Sequence, residues 1–414
     1  MCHVGMSTAR LITWLSTNVK VLDRWAPPSR EASGNDINKV VRADYGQQLY
    51  ADLGQEAMKV WKDPTHILNP FFHGTGWIIS ASNESIPFMH ASLKTLKRLG
   101  YSGAGFVTRQ EVQERWPTFS GPMKDWEIMW NEAAGWANAD KAVAALAASA
   151  MSRGVQYISG DAGHVKKLLF DSDSKCIGVA CEDGSSHFAD VVILAAGAAT
   201  SSILDMEGQL VAKGHSVVHV QLTREEVQHY KNIPILDNLE DGIIFPPTED
   251  GIMKITGQEC FKNEKSASPH PGISLPRYRS VHPKDGIPER FDRKIRMFLR
   301  DTLPELSDRR WDSTRICWDA DTADLHFIVG QHPKHANLKL ACGGSAHGFK
   351  FLPVIGAKIA DMIEEKLASD LASAWKWRPG CKAEDSGPRA HPLGPLLDMS
   401  DLPGWEHKEI HAKL

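Results

Sequence analysis

The sequence lacks the apolar run of about 20 residues that a membrane-spanning helix needs. Its longest apolar stretches, Val191–Ala199 and Gly242–Pro246, have the length of strands. Net charge is also small, −4 over 414 residues, so electrostatics favours neither nucleic acid nor an acidic membrane as a partner. With 42% hydrophobic and 24% charged residues, the composition predicts a soluble globular protein.

Cysteine is scarce and shows no pattern: the seven cysteines include no CxxC pair. Their odd number argues against a metal site or a disulfide framework and favours a reducing compartment. No secretory signal is visible at the start.

The last three residues, Ala412, Lys413 and Leu414, are close to the Ser-Lys-Leu peroxisomal address. We therefore expect a peroxisomal import receptor as a partner and the peroxisome as the location. The plain alternative is a cytoplasmic protein with a frayed polar end.

The chain is too long for one ordinary core, so we expect two domains. Hydrophobic periodicity predicts helices and strands that alternate along it. The predicted helices include Tyr45–Trp61, Ser85–Leu99, Asn138–Arg153 and Glu289–Leu303, and the predicted strands include His73–Ser80, Val165–Phe170, Val191–Ala196, His215–Leu222 and Gly251–Thr256.

The first residues match the back half of a dinucleotide-binding unit. A helix is predicted over Gly5–Ser16, followed by a strand that ends at Asp23. In such units a first strand leads through G-x-G-x-x-G into the helix, and an acid after the second strand binds the adenosine ribose. Only Met1–Val4 precede Gly5 here. We therefore expect the first strand and part of the glycine turn to be missing.

Two further segments have the character of ligand-facing turns. The first is the segment VVILAAGAAT, which contains Gly197. It is typical of a parallel strand buried on both faces, followed by a turn that meets a ligand. Ser33–Lys39, SGNDINK, predicts a tight turn whose backbone N–H groups face a ligand. For the second segment, an ordinary capped loop is the alternative.

Cys317 stands alone in the polar segment RICWDADTAD, with Arg315 two residues before it. The thiolate is the reactive form of cysteine, and positive charge nearby lowers the thiol pKa. Arg315 would activate Cys317 if both side chains lie on one side of a strand. The alternative is a buried core cysteine, and Cys342, directly before GGSAHGF, is the rival reactive thiol.

The segment Gly343–Lys350, GGSAHGFK, predicts a glycine turn that leads into a helix. Backbone N–H groups at such a helix start stabilise negative charge on a ligand. Lys350 enters the apolar run FLPVIG, where a lysine either has a role or extends outward to solvent.

Together, SGNDINK, LAAGAAT and the stretch Arg315–Gly356 resemble the fructosyl amino acid oxidases (amadoriases), a branch of the sarcosine oxidase and D-amino acid oxidase-like FAD-dependent family. The resemblance covers about residues 5–405. It implies bound FAD, joined through the sulfur of Cys317. The cofactor-binding residues that it implies are Gly5, Asp23, Asn35, Asp36, Lys39, Val165, Gly197, Cys317, Gly344, Ser345, His347, Gly348 and Lys350.

The resemblance also implies the fold class, α/β, with a Rossmann-like FAD-binding domain interleaved with an α+β substrate domain. The FAD-binding domain is expected at residues 1–48, 139–213 and 312–380, and the substrate domain at 49–138 and 214–311. Residues 381–414 are expected to form an irregular tail.

By the same resemblance, Lys254 and Lys350 are the catalytic residues. Lys254, in GIMKIT, would promote oxygen reduction because a fixed cation favours the superoxide anion; an edge-strand lysine is the alternative. Glu259, Lys350 and Arg378 would bind the substrate, Arg378 through bidentate hydrogen bonds to a carboxylate. The alternative for Arg378 is that it only stacks on nearby tryptophans, and His347 is a further candidate base or orienter.

The expected reaction is oxidation of the C–N bond of a secondary amine, with hydride passing to flavin and electrons then to O2, giving H2O2. The implied substrate is a fructosyl amino acid, or else sarcosine, pipecolate or a pathway amine. Departures from the family pattern are Ala199 for an aromatic residue, Ala346 for glycine and a shifted acid at Glu259. The missing front half of the nucleotide unit leaves open a relative without flavin, or a chain read from too late a start.

Overall fold

The protein is described by a computed structural model over residues 19–265, 272–381 and 396–405. Helices and strands alternate along it, as the sequence predicts. The helices are α1 (Gln48–Trp61), α2 (Ile86–Arg98), α3 (Arg109–Arg115), α4 (Ala139–Ser152), α5 (Arg224–Tyr230), α6 (Glu289–Thr302), α7 (Leu352–Ile363) and α8 (Ser369–Ala374).

The strands are β1 (Lys20–Leu22), β2 (Lys39–Val41), β3 (Phe72–His73), β4 (Trp77–Ala81), β5 (Ala104–Val107), β6 (Glu127–Asn131), β7 (Gly135–Ala137), β8 (Gln156–Ile158), β9 (Val165–Phe170), β10 (Cys176–Cys181), β11 (Ser186–Phe188), β12 (Val192–Leu194), β13 (Val211–Gln221), β14 (Ile235–Asn238), β15 (Gly242–Ile244), β16 (Ile252–Lys262), β17 (Ser313–Asp321), β18 (Ile328–Gln331), β19 (Leu338–Cys342) and β20 (Leu397–Asp398). They form a mixed α/β structure, so the predicted fold class is confirmed.

Parallel pairing occurs where the nucleotide-binding unit is predicted. β1 pairs in parallel with β8, and β12 pairs in parallel with β19. The prediction that β12 is buried on both faces is wrong, because Ile193 is 36% exposed. Gly5 and its predicted helix lie outside the described residues, so the shortened front half stays a prediction.

The largest sheet has nine strands in the order β17-β13-β16-β15-β14-β4-β6-β5, with β20 paired to β16. Its long antiparallel members β13, β16 and β17 carry the site described below. β17, which lies in the segment 312–380 that the sequence prediction assigns to the cofactor domain, pairs with β13 in this sheet along its whole length, from Ser313 to Asp321. The predicted domain division stays a prediction.

One predicted strand is broken in two. The sequence predicts a single strand over His73–Ser80, but the structure has β3 and β4 with a turn between them. Gly76 has φ 76° there, a left-handed conformation that suits glycine, and the ring of Trp130 packs where a Cβ would lie. The turn therefore requires a residue without a side chain.

The helices pack on the sheets through apolar faces. α6 alternates charged and apolar residues, and buries Phe291, Ile295, Phe298 and Leu299 against β16. α2 begins after Ser85 with a proline in its first turn, as predicted from the sequence. None of the helices in the described ranges combines the length and apolarity that crossing a bilayer requires.

Candidate functional site

The site is built on one face of β13, β16 and β17. Side chains alternate between the two faces of a strand, so residues two apart share a face. Cross-strand pairing therefore sets polar side chains in rows across the three strands. One row is Lys254, His219 and Ser313, the next is Thr256, Val217 and Arg315, and the third is Cys260, His215 and Cys317.

The turn Ser33–Lys39 covers this face and supplies a buried carboxylate. Asp36 Oδ2 lies 2.8 Å from Lys254 Nζ and 3.0 Å from Lys39 Nζ. Lys254 Nζ also donates to the carbonyl oxygen of Asn38 at 2.7 Å. Arg315 donates to the carbonyl oxygen of Asn35 at 3.0 Å. The structure thus brings the predicted residues Asn35, Asp36, Lys39 and Lys254 into one cluster.

Neighbouring charge lowers the pKa of Asp36, and burial lowers that of Lys254. Burial alone would raise the pKa of Asp36, but Lys254, Lys39 and Arg315 hold it well below its usual range. Burial lowers the pKa of Lys254 to about 8, against the opposing effect of Asp36. Lys254 is therefore a cation at pH 7 that lies close to losing its proton.

Cys317 lies beside two of these cations. Lys39 Nζ is 3.9 Å from Cys317 Sγ. Burial would lower the pKa of Arg315, but Asp36 and a hydrogen bond to Cys317 raise it. Arg315 and Cys317 share one face of β17, as their predicted interaction requires. The rival, Cys342, is buried, and burial raises the pKa of its thiol to about 12; of the two cysteines, Cys317 has the setting of a reactive thiol.

The glycine turn after β19 has a left-handed backbone at several residues. Gly343 has φ 72°, Ser345 φ 43° and Ala346 φ 48°. Ala346, which replaces the glycine of the family pattern, thus adopts the left-handed conformation itself. Ser345 ties the turn to the end of β17, since its N–H donates to the Ala320 carbonyl at 2.9 Å and its hydroxyl accepts from the Thr322 N–H at 3.2 Å.

His347 is fixed at both ring nitrogens. Nε2 lies 2.9 Å from the carbonyl oxygen of Leu325, which can only accept, so Nε2 carries the hydrogen. The Tyr45 hydroxyl lies 3.0 Å from Nδ1 and donates to it. The backbone oxygen of His347 accepts from Lys350 Nζ at 3.0 Å. This arrangement gives His347 the role of an orienter of the turn rather than a free base.

Lys350 is buried, at 5% exposure, and does not extend to solvent. Its Nζ lies 5.5 Å from the centre of the Tyr45 ring. The guanidinium of Arg42 lies 4.8 Å from the same ring and 4.6 Å from that of Trp77. The sequence reasoning missed Arg42. An arginine directly after an apolar strand, in KVVR, is a weak signal that becomes informative only when Lys350 is seen nearby.

A cleft of about 600 Å³, measured to its open mouth, lies between the two ligand-facing turns. Lys39 and Asp319 line one part of it, and Cys342, Gly344, Ala346 and Gly348 line another. A Cβ at Gly344 would meet no atom within 4 Å, so this stretch of backbone faces open space. Gly344 and Gly348 thus lie where the sequence places ligand-facing backbone.

Two predicted substrate residues are engaged elsewhere. Glu259 lies on the opposite face of β16 from Lys254, where it contacts α6 and pairs with Lys294 at 2.5 Å and Arg290 at 3.1 Å. This placement argues against Glu259 as the substrate partner, and the physical reason is the two-residue alternation of the strand.

The guanidinium of Arg378 donates to four backbone carbonyls, those of His326, Phe327, Ala374 and Lys376, and its Nε lies 3.0 Å from Asp324. These contacts give Arg378 a structural role at the end of α8. They also exclude simple stacking on tryptophan as its only interaction. Carboxylate binding by Arg378 stays a prediction.

The remaining predicted cofactor residues lie at the ends of strands. Asp23 follows β1, and its Oδ1 accepts from the Ser29 hydroxyl at 3.0 Å and the Trp25 N–H at 2.9 Å. Gly197, with φ 53°, opens the turn after β12. Val165 begins β9. Ribose binding by Asp23, and cofactor contact by Gly197 and Val165, stay predictions.

Comparison with known proteins agrees with this geometry. The family model described as FAD dependent oxidoreductase matches residues 3–362. The chain belongs to this family. It is 32% identical to the L-saccharopine oxidase of Schizosaccharomyces pombe over 93% of the chain and 92% of that protein. The fructosyl peptide oxidase of E. terrenum superposes with a TM-score of 0.89 at 33% identity, covering 98% and 96% of the two chains.

Amadoriase II of Aspergillus fumigatus, a fructosamine oxidase, superposes with a TM-score of 0.85 at 32% identity, covering 98% and 95% of the chains. The chain is therefore an FAD-dependent oxidoreductase of the amadoriase and sarcosine oxidase type, as the sequence resemblance predicts.

The described residues fit FAD, the cofactor of this family. The cluster sets the cations Lys39, Lys254 and Arg315 against the carboxylates of Asp36 and Asp319, which leaves one positive charge in excess for an electron-rich ring. The carboxamide of Asn38 is fully buried, and neither its nitrogen nor its oxygen has a hydrogen-bond partner among the described residues. Such a group calls for a polar ligand. No group of three metal-binding side chains occurs in the described ranges.

Proposed function

We propose that this member of the FAD-dependent family oxidises the C–N bond of a secondary amine that carries a carboxylate, an N-substituted amino acid. The observation that carries the proposal is the cluster of Lys254, Lys39, Arg315 and Asp36 beside Cys317, at a cleft walled by the glycine turn. It joins a reactive-thiol setting, a fixed cation and ligand-facing backbone in one place.

Bound FAD would supply the acceptor for a hydride from the carbon next to the amine nitrogen and the source of two electrons for O2, so that the products are an imine, which water hydrolyses, and H2O2. The turns Ser33–Lys39 and Gly343–Gly348 would hold the cofactor. Lys254 supplies the cation that stabilises negative charge as O2 is reduced.

Arg42 and Lys350 support the carboxylate on the proposed substrate. Both are buried, both approach the ring of Tyr45, and both carry positive charge. Cationic side chains bind a carboxylate through strong, charge-assisted hydrogen bonds. Asp44 interacts with both cations, and its burial raises the pKa of its carboxyl.

Two kinds of substituent on the amine nitrogen are candidates for the substrate. The solved fructosyl peptide oxidases and amadoriase II suggest a fructosyl group, while the saccharopine oxidase suggests an amine joining two amino acids. The two solved structures and the curated relative are 32–33% identical to the chain. Sarcosine, pipecolate and a pathway-specific amine are the remaining classes.

A substrate panel tests the proposal. We expect the purified, flavin-containing protein to release H2O2 with at least one of fructosyl-valine, fructosyl-lysine, saccharopine, sarcosine and pipecolate. Arg42→Gln should then raise KM by about 10-fold or more, the size of a lost charged hydrogen bond, and should affect the decarboxylated analogue of the same amine much less. A coupled peroxidase assay gives both numbers. A purified protein without flavin would refute the oxidase assignment and support a non-catalytic relative.

We also propose that FAD is attached covalently through Cys317. The support is the closeness of Lys39 and Arg315 to the thiol, in contrast to the apolar burial of Cys342.

Peroxisomal import is proposed from the Ala412–Lys413–Leu414 end, which lies outside the described residues. A peroxide-forming enzyme fits that compartment. A fluorescent protein that carries residues 402–414 of the chain at its C-terminus should colocalise with a peroxisomal marker in fungal cells. Deletion of the last three residues should disperse it. Unchanged localisation after the deletion would show that these residues are not the address.

A further inference from the structure

A second cavity, here called the rear cavity, lies at the far side of the Lys254 cluster from the glycine turn. It measures about 350 Å³ to its open mouth. Its lining residues are Ile37, His219, Gln221, Ile252, Asp312 and Ser313. Gln221, Asp312 and Ser313 are exposed, so the cavity opens to solvent at their end. None of the sequence-based site predictions lies in it.

His219 spans this cavity from its mouth to its inner wall. Its Nδ1 lies 2.9 Å from the hydroxyl oxygen of exposed Ser313. Its Nε2 is buried and has no hydrogen-bond partner in the part of the chain that the structure describes. A buried polar atom without a partner is costly, so it marks a place that holds a small polar molecule or has a chemical role.

The inner side of His219 faces the Lys254 cluster. His219 on β13 is the direct cross-strand partner of Lys254 on β16. Ile37, which lines the rear cavity, follows Asp36 in sequence. Asp36 and Asn38 accept hydrogen bonds from two of the three N–H groups of Lys254, and its Nζ also lies 4.4 Å from the centre of the Phe245 ring. Solvent, His219 and Lys254 are thus in sequence from the surface inward.

We propose that the rear cavity and His219 form the route by which solvent protons reach Lys254 after each turnover. The proposal rests on the proposed oxidase function, since it concerns the half-reaction with O2. His219 acts through Lys254 and does not touch the reacting atoms, so it is a positioning residue for proton delivery. The cavity's occupant is water, which is small enough to bridge Nε2 and the inner wall.

Proton balance gives this route its purpose. Reducing O2 to H2O2 takes two electrons and two protons. A hydride equivalent from the reduced cofactor supplies both electrons and one proton, and the hydroperoxide anion so formed needs a second proton. The Lys254 ammonium donates it and becomes a neutral amine. Lys254 must then regain a proton, and a buried lysine can regain it only along a defined path.

The protonation state of His219 suits a relay. Burial lowers its pKa to about 4, with Lys254 and Arg315 acting in the same direction and Asp36 opposing them. Asp312 also lines the cavity, and its carboxylate accepts a hydrogen bond from the Gln221 N–H at 2.7 Å. At pH 7 the imidazole is therefore neutral, with one nitrogen that accepts and one that donates. This form can take a proton from the mouth while it releases one inward.

The test compares His219→Ala with His219→Phe in the flavin-containing protein, each reduced anaerobically by light and then mixed with O2. Light reduction needs no knowledge of the amine substrate. We expect both variants to reoxidise about 10–100-fold more slowly, below the full effect of a direct acid. Imidazole should restore the rate of His219→Ala, whose cavity admits it, and should not restore His219→Phe. The solvent deuterium isotope effect on reoxidation should rise in both.

A readout without turnover supports the same comparison. Imidazole should raise the melting temperature of the oxidised, flavin-containing His219→Ala protein and leave that of His219→Phe unchanged, because only the first has room for it. His229→Ala, which removes a half-exposed histidine on α5, is the control and should show none of these effects.

The outcomes separate the two levels of the argument. Normal reoxidation in His219→Ala, or slow reoxidation that imidazole does not restore, overturns the proton route and leaves the oxidase function intact. Failure of every amine to reduce the flavin, with photoreduced protein still reacting slowly in His219→Ala, overturns the substrate assignment and keeps the route. A protein that holds no flavin overturns both.

Discussion

Replacing Lys254 by methionine is expected to slow the reaction of the reduced enzyme with O2 by about 10²–10³-fold, the cost of losing one preorganised charge in a buried site. Anaerobic reduction by the amine should change only a few-fold, because that step transfers hydride and forms no oxygen anion. In the variant Asp36 still has a cationic partner, because Lys39 Nζ lies 3.0 Å from its Oδ2. Stopped-flow measurement of the two half-reactions separates these effects.

The pH dependence of reoxidation gives an independent check on Lys254. Burial lowers the pKa of Lys254 to about 8, so the ammonium is present below that pH and lost above it. The rate should therefore be flat below pH 8 and fall up to tenfold per unit above it. Lys254→Arg is the control, because arginine stays charged and does not give up its proton in this pH range; its rate should be lower than that of the parent protein but should show no fall between pH 8 and 10. A fall of equal size in Lys254→Arg would assign the titration to another group.

Much of this site could be predicted because its members lie close together in sequence. Asp36 and Lys39 share one turn, and Arg315 and Cys317 share one strand with a spacing that places them on one face. A local motif therefore fixes their relative geometry before any tertiary contact is known. The resemblance to a known family then placed Lys254 beside them.

The parts that could not be predicted depend on register between distant strands. Glu259 follows Lys254 at an odd spacing, and β16 has an irregular register opposite Ser216, so the acid points to α6 rather than to the cluster. His219 gains its place only through pairing with Lys254, and Arg42 only through the approach of Lys350 to the Tyr45 ring. Nothing in the neighbouring sequence of these residues records such pairings.

The partial exposure of β12 has the same origin. Continuous apolar residues in VVILAA indicate burial, yet Ile193 is 36% exposed and Val191 is 41% exposed. An apolar run shows that a strand could be buried on both faces of a sheet. Whether the strand is buried depends on the elements that pack on each face. Partners for β1 and β12 are set by long-range pairing and cannot be read from either strand alone.

Substitution of Cys317 by serine is expected to change the flavin from bound to releasable. After acid denaturation, the parent protein should keep its yellow colour in the precipitate, whereas Cys317→Ser should lose nearly all of it to the supernatant. The physical reason is that the Cys317 sulfur lies beside the cations Lys39 and Arg315, a setting that favours its attack on an electrophilic carbon. The serine hydroxyl lacks this reactivity. Absorbance of the two fractions measures the result.

Cys342→Ser is the matched control, because Cys342 lines the same cleft but has a thiol pKa raised to about 12 by burial. Its flavin should stay with the precipitate. Release from Cys342→Ser alone would transfer the attachment to that residue, and release from the parent protein would show that FAD is held without a covalent bond.

Lys39→Met tests whether the cation beside Cys317 assists the attachment. It keeps the sulfur and removes the cation 3.9 Å from it, so it should bind FAD and attach it more slowly than the parent protein. Attachment at the parent rate would mean that Lys39 does not assist the thiol.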